Sequence, residues 1–256
     1  MRREVVVARA FTMIDVLVSL AVVAVLISLL LPSLGLVRES ANQVMCRSNL
    51  RQIGLGLALY AEANGDRVVP STKVRGDLMN DSPWETDLLR LAPPGAAWDG
   101  LGILYGAEYL PAPKLFYCPS HKGAARYAAY EDQWGGKPGE IRGNFQYRGR
   151  APAERLDRPA PMMANAGGRS APQPTVPLTL FLSAMRPGSA LAVDGIRNAD
   201  AVNHRHGANV LRAGLSVTWF DDAQKNVLGI LPKGSPATSS QLDLIWTELD
   251  RGAPED

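Results

Sequence analysis

An excess of charge of one sign is missing from this sequence: 27 Lys and Arg stand against 25 Asp and Glu. The small positive balance is made within the first ten residues, by Arg2, Arg3 and Arg9 against Glu4. No basic stripe interleaved with aromatic residues follows, so no nucleic-acid partner is expected, because holding many phosphates takes clustered cations. Histidine is scarce, at three copies. No Gly-x-Ser-x-Gly elbow, P-loop or dinucleotide fingerprint occurs, and a Ser-His-Asp trio drawn from a chain of this length carries no weight without geometry. The expectation is a protein that is not an enzyme and carries no cofactor. Two cysteines, Cys46 and Cys118, are too few for a disulfide scaffold. No internal repeat is evident.

What is present is a concentration of apolar residues near the N-terminus. Val16 to Leu31 carries no charge, and adding Phe11 to Ile14 brings the run close to the roughly 20 residues that span a bilayer. A secretory signal peptide would place its small-residue cleavage site after the apolar run, whereas Ala8-Arg9-Ala10 lies before it. A plain membrane anchor explains the length and the flanking arginines. It does not explain Asp15, since a carboxylate within a membrane helix costs about 2.5–3.5 kcal/mol on insertion scales and calls for a partner.

Residues 10–34, AFTMIDVLVSLAVVAVLISLLLPSL, resemble the prepilin N-terminal cleavage and methylation motif of type IV pilins and type II secretion pseudopilins. In that family a short basic leader ends in Gly, and Phe, Thr, two apolar residues and Glu open a long helix, with Pro often twenty-two residues into the mature chain. Here Ala10 precedes the junction, Asp15 stands for the Glu, and Pro32 holds the proline position. The resemblance implies cleavage between Ala10 and Phe11 by a prepilin peptidase, then methylation of the Phe11 amine. It also implies assembly with other pilin or pseudopilin subunits through Asp15, whose carboxylate would meet the new amine of a neighbour. Its further implications are a single pass through inner-membrane lipid, a cytoplasmic N-terminus and a periplasmic C-terminal domain, as the positive-inside bias of the arginines also favours. The expected fold is α+β: a long N-terminal helix, its first half transmembrane and its second half amphipathic, packed on a small antiparallel sheet. Residues 1–10 are the leader, 11–36 the membrane helix, 37–65 its amphipathic continuation and 66–256 the globular domain.

Beyond Pro32, Cys46, Leu50, Ile53, Leu57 and Tyr60 recur at steps of four and three and so form one apolar stripe, which Asn64-Gly65 should terminate. CRSNLRQIGLGLALYAEANGDRVVPS (46–71) and LGILYGAEYLPAPKLFYCPS (101–120) are similar to segments of a pseudopilin-like group common in planctomycetes. HGANVLRAGLSVTWF (206–220) resembles that group's C-terminal hairpin, with Ala213-Gly214-Leu215 where Asp-Gly usually turns the chain. Short strands are expected at Lys114–Tyr117, Phe145–Tyr147, Ala190–Asp194, Asn209–Leu211 and Ser216–Phe220. Residues 149–176, rich in Ala, Pro and Arg, read as an irregular loop.

Cys46 lies on the stripe and Cys118 ends an apolar run. In an oxidising compartment the expectation is a Cys46–Cys118 disulfide, with two buried free thiols as the alternative. Cys118-Pro-Ser-His121 and His204-Arg-His206 make an incomplete Cys/His set, without the two-part spacing of a zinc finger. Asp194-Gly195 and Asp221-Asp222 lack a recognisable calcium loop. No metal ligand is therefore assigned from sequence.

Overall fold

The structure is a computed structural model that describes residues 13–73, 85–93, 97–149 and 181–253. Ala10, Phe11 and nearly all of the 149–176 stretch lie outside the described residues. The chain divides into two compact units, 1–41 and 42–256.

One helix, α1 (Met13–Ala63), runs through 51 residues. In the first unit it holds 19 residues, Met13–Leu31, that are long and apolar enough to cross a membrane and are unburied throughout. Two hydroxyls interrupt that surface, and both are satisfied by the helix itself: Ser19 Oγ donates to the Val16 carbonyl at 2.8 Å and Ser28 Oγ to that of Val25 at 2.7 Å. Such back-bonding is what a polar side chain needs where no water is available.

The second unit begins with the remainder of α1, and here the stripe is buried: Cys46, Leu50, Ile53 and Leu57 have no exposed surface. Gly54 and Gly56 permit the close approach, since a Cβ on Gly54 would lie 2.8 Å from a Leu211 methyl and one on Gly56 2.9 Å from Leu110 Cγ. The helix ends after Ala63, with Gly65 at φ 65°. Asp66 then anchors the chain by accepting from the Ser183 amide and hydroxyl.

The main sheet is an antiparallel meander of β3 (Phe145–Tyr147), β4 (Ala190–Asp194), β5 (Gly207–Arg212) and β6 (Val217–Asp221). Two short strands, β1 (Leu88–Arg90) and β2 (Ile141–Arg142), form a separate pair. Strands β4 and β5 are buried along their whole length because the sheet is covered on both faces. Leu191, Ala192 and Leu211 join the cluster containing the α1 stripe. Val193, Ala208 and Val210 join Leu242, Ile245, Trp246 and Leu249 of a C-terminal helix (Ser239–Arg251), which we label α2. Alternation along β5 thus divides its side chains between two helices, whereas β4 has a register shift between Ala190 and Ala192 and puts consecutive Leu191 and Ala192 in the same cluster.

The mixed helix-and-antiparallel-sheet architecture is as expected, and four of the five strand expectations fall on strands. The fifth does not. Lys114–Tyr117 lies in a 3-10 turn, Pro113–Phe116, because Pro113 at its start fixes φ and the Leu115 amide bonds back to the Ala112 carbonyl at 3.1 Å. Phe116 still enters the core, stacked on Trp134, whose indole donates to Tyr117 at 3.0 Å. In the β5–β6 turn Leu215 adopts φ 66°, a left-handed conformation ordinarily left to glycine.

Candidate metal centre

Four side chains from four separate segments converge beneath α1. Cys46 arrives on the buried face of the helix, one turn before Leu50. Cys118 follows the Pro113–Phe116 turn, and its peptide is fixed by Asn144: the Cys118 amide donates to Asn144 Oδ1 at 2.6 Å, and the Asn144 Nδ2 group donates to the Cys118 carbonyl. Asp194 ends β4 and shares its face with Ala192. His204 sits in the loop before β5, its ring edge-on to Trp219.

The geometry is close. Asp194 Oδ2 accepts from Cys46 Sγ at 3.2 Å and lies 3.2 Å from His204 Nε2, while Cys118 Sγ lies 3.5 Å from the same nitrogen. All four donor atoms lie within 4.8 Å of one another. Asn209 on β5 orients the carboxylate, giving its backbone amide to Asp194 Oδ1 at 3.0 Å and its side-chain amide to Oδ2 at 2.8 Å. Every member is buried; the largest relative exposure among the four is 4%, at His204.

The two thiols are shifted in opposite directions, although burial raises both. Burial pushes Cys46 well above the usual thiol value, with the neighbouring Cys118 and the Asp194 carboxylate adding to the effect. It also raises Cys118, but there the hydrogen bonds from Cys46 and His204 outweigh it and the thiol ends below its usual value. Cys118 is therefore the readier thiolate and Cys46 the one that holds its proton.

The two cysteines are brought together in one buried group, their sulfurs within 4.8 Å and both as free thiols. Of the Cys/His set, Cys118 and His204 take part. His121 instead bonds Asn203 through Nδ1 at 2.7 Å, and His206 is exposed. Asp222 serves its own turn by accepting from the Leu228 amide at 2.7 Å. Asp15 lies in the first turn of α1.

A second buried ionic group joins Asp87 to Arg142 and Arg197, each at 3.1 Å. Burial raises Asp87 despite both cations, and the arrangement ties the β1–β2 pair to the loop after β4. No family model matches the chain, and neither does any curated protein or any solved structure.

Proposed function

We propose that this chain is a membrane-anchored structural subunit, a pilin-like or pseudopilin-like protein of a type II secretion or type IV pilus-like filament. In this reading a prepilin peptidase cuts between Ala10 and Phe11, the apolar half of α1 lies in the inner membrane and the C-terminal domain is periplasmic. The observation that carries the proposal is that a single helix contains both elements. Its first part is an apolar span with no buried residue, and its second bears a stripe built into a folded core. A detachable signal sequence has no need of such a stripe, and a simple tether has no need to continue as a helix whose residues form part of a core.

Asp15 supplies the second support. Once the leader is removed, the new α-amine would be that of Phe11, four residues ahead of it in sequence, and in a packed bundle of subunits the amine of one chain can pair with the carboxylate of the next. Pairing lowers the cost of holding either charge in an apolar setting. The first-turn position also suits a carboxylate, through the partial positive charge of a helix N-terminus.

The test is Asp15→Ala against Asp15→Glu in the native host, reading membrane anchoring and recovery in a sheared filament fraction separately. Asp15→Ala should remain processed and membrane-bound but disappear from the filament fraction, while Asp15→Glu should be retained. Incorporation of Asp15→Ala at the wild-type level would overturn the assembly role, leaving an anchored domain that does not polymerise.

A further inference from the structure

We propose that Cys46, Cys118, Asp194 and His204 together bind one divalent zinc ion in a tetrahedral site that fastens α1 to the sheet. The proposal depends only on the second unit and is independent of whether the chain forms filaments.

The spacing of the donor atoms is the first ground. With bonds of about 2.3 Å to sulfur and about 2.0–2.2 Å to imidazole nitrogen and carboxylate oxygen, a tetrahedral centre sets its ligand atoms roughly 3.4–3.8 Å apart. Three of the six separations here are 3.2, 3.2 and 3.5 Å, and none exceeds 4.8 Å. Small movements of side chains bring all of them to the required edge lengths. The donors also come from four different segments, so their convergence is made by the tertiary fold and not by a local turn.

Chemistry is the second ground. Two thiolates, one imidazole and one carboxylate form a mixed soft and borderline set, which suits zinc and does not suit calcium or magnesium, whose ligands are oxygens. Two thiolates and a carboxylate would bring three negative charges to a buried point that holds no lysine or arginine among its four members. A divalent cation resolves that imbalance. On binding, each thiol releases its proton to solvent as its sulfur takes up the metal, so affinity rises with pH through the thiol range. The Asn209 side chain and amide already hold the carboxylate in place, as supporting residues do in established metal sites.

Four protein ligands fill a tetrahedral shell, which makes the site structural in type. It ties the helix to the domain at the first buried position of its stripe. A disulfide is the competing fate of the same sulfurs: it would draw them to about 2.05 Å, remove both as ligands and leave Asp194 and His204 as a buried pair without the cysteines. Metal occupancy would instead protect the thiols from oxidation.

The experiment uses the full chain, purified in detergent without an affinity tag that binds metal, from cells supplied with zinc. Native mass spectrometry and elemental analysis should find one zinc per chain. Replacement with cobalt should give the visible bands of a tetrahedral centre together with thiolate-to-cobalt charge transfer in the near ultraviolet. Removal of zinc by a chelator should lower the melting temperature and expose both thiols to titration. Asp194→Asn should weaken cobalt binding by at least about tenfold, and Cys118→Ser should abolish the charge-transfer band of that sulfur. Because the wild-type stoichiometry and spectrum need no variant, a substitution that fails to fold does not obscure the result. Wild-type protein with no bound zinc and no tetrahedral cobalt spectrum would overturn the proposal, whether its cysteines are free or joined.

Discussion

Replacing Arg212 with alanine should destabilise the domain by about 3 kcal/mol. Its side chain is 1% exposed, among the most deeply buried in the protein. Nε donates to Thr218 Oγ1 at 2.9 Å, Nη1 to the Gly188 carbonyl at 3.1 Å and to that of Leu249, and Nη2 to the Gly252 carbonyl at 3.3 Å. Two of these acceptors belong to the C-terminal end of α2, where the last carbonyls of a helix lack internal partners and a cation is favoured. Burial lowers the Arg212 pKa, and nearby Asp250 partly offsets this. Truncation would orphan the buried Leu249 carbonyl, at about 2 kcal/mol, and lose the part-buried bonds to the Gly188 and Gly252 carbonyls, at about 0.5 kcal/mol each, so the loss reaches about 3 kcal/mol. That is a large share of a typical total of about 5–15 kcal/mol. Arg212→Lys should recover only part of it, because an ammonium keeps the charge but lacks the planar fork that reaches several acceptors at once. Urea unfolding of the full chain in detergent, followed by circular dichroism and tryptophan fluorescence, measures the loss as a shift in midpoint at constant slope. An Arg212→Ala protein within about 0.5 kcal/mol of wild type would refute the claim that this guanidinium holds the helix end.

Two further outcomes follow from the same domain. Thr238 caps α2 in a reciprocal box with Gln241, so Thr238→Ala should cost about 1 kcal/mol in the same unfolding assay, and no loss would mean that the cap is dispensable. Burial holds His121 below its ordinary value of 6.5, despite the hydrogen bond to Asn203. The unfolded chain therefore binds a proton where the native one does not: stability is full above that value and declines as pH falls through it. His121→Asn, which can still donate to Asn203, should flatten the part of the decline between about pH 7 and pH 5 that belongs to this ring. Identical slopes for the two proteins would contradict the assignment.

The parts of the fold that were legible in the sequence were those written in short-range periodicity. Cys46, Leu50, Ile53 and Leu57 declared a buried helix face, and that same face placed Cys46 beside Cys118. Asn64-Gly65 marked the helix end. The C-terminal helix was not among the expected elements, although Thr238 and Gln241 form a capping-box pattern ahead of Leu242, Ile245, Trp246 and Leu249 at helical spacing. Lys114–Tyr117 was misread because an apolar run is neutral between strand and turn, and the deciding residue, Pro113, stood just outside it.

The metal-ligating group was only half visible, for a different reason. All four residues were named, but in separate readings: Cys118 and His204 in an incomplete Cys/His set, Cys46 as a disulfide partner and Asp194 as a turn acid, and no pair of ligands shows the close spacing by which zinc sites announce themselves. The meander of β4 and β5 brings Asp194 and Asn209 into register with the helix, and that pairing is non-local. Arg212 was invisible for a related reason. A lone arginine in a strand reads as an exposed position, and only the arrival of α2 on the far face gives it carbonyls to bind.

The central claim is that this chain is processed at its N-terminus and held in the membrane by α1. Intact-mass and N-terminal analysis of protein recovered from membranes of the native host tests it most directly. The account predicts a mature chain that begins with N-methylated Phe11 and retains the whole apolar span. An intact leader, or an N-terminus beyond Leu31, would contradict it.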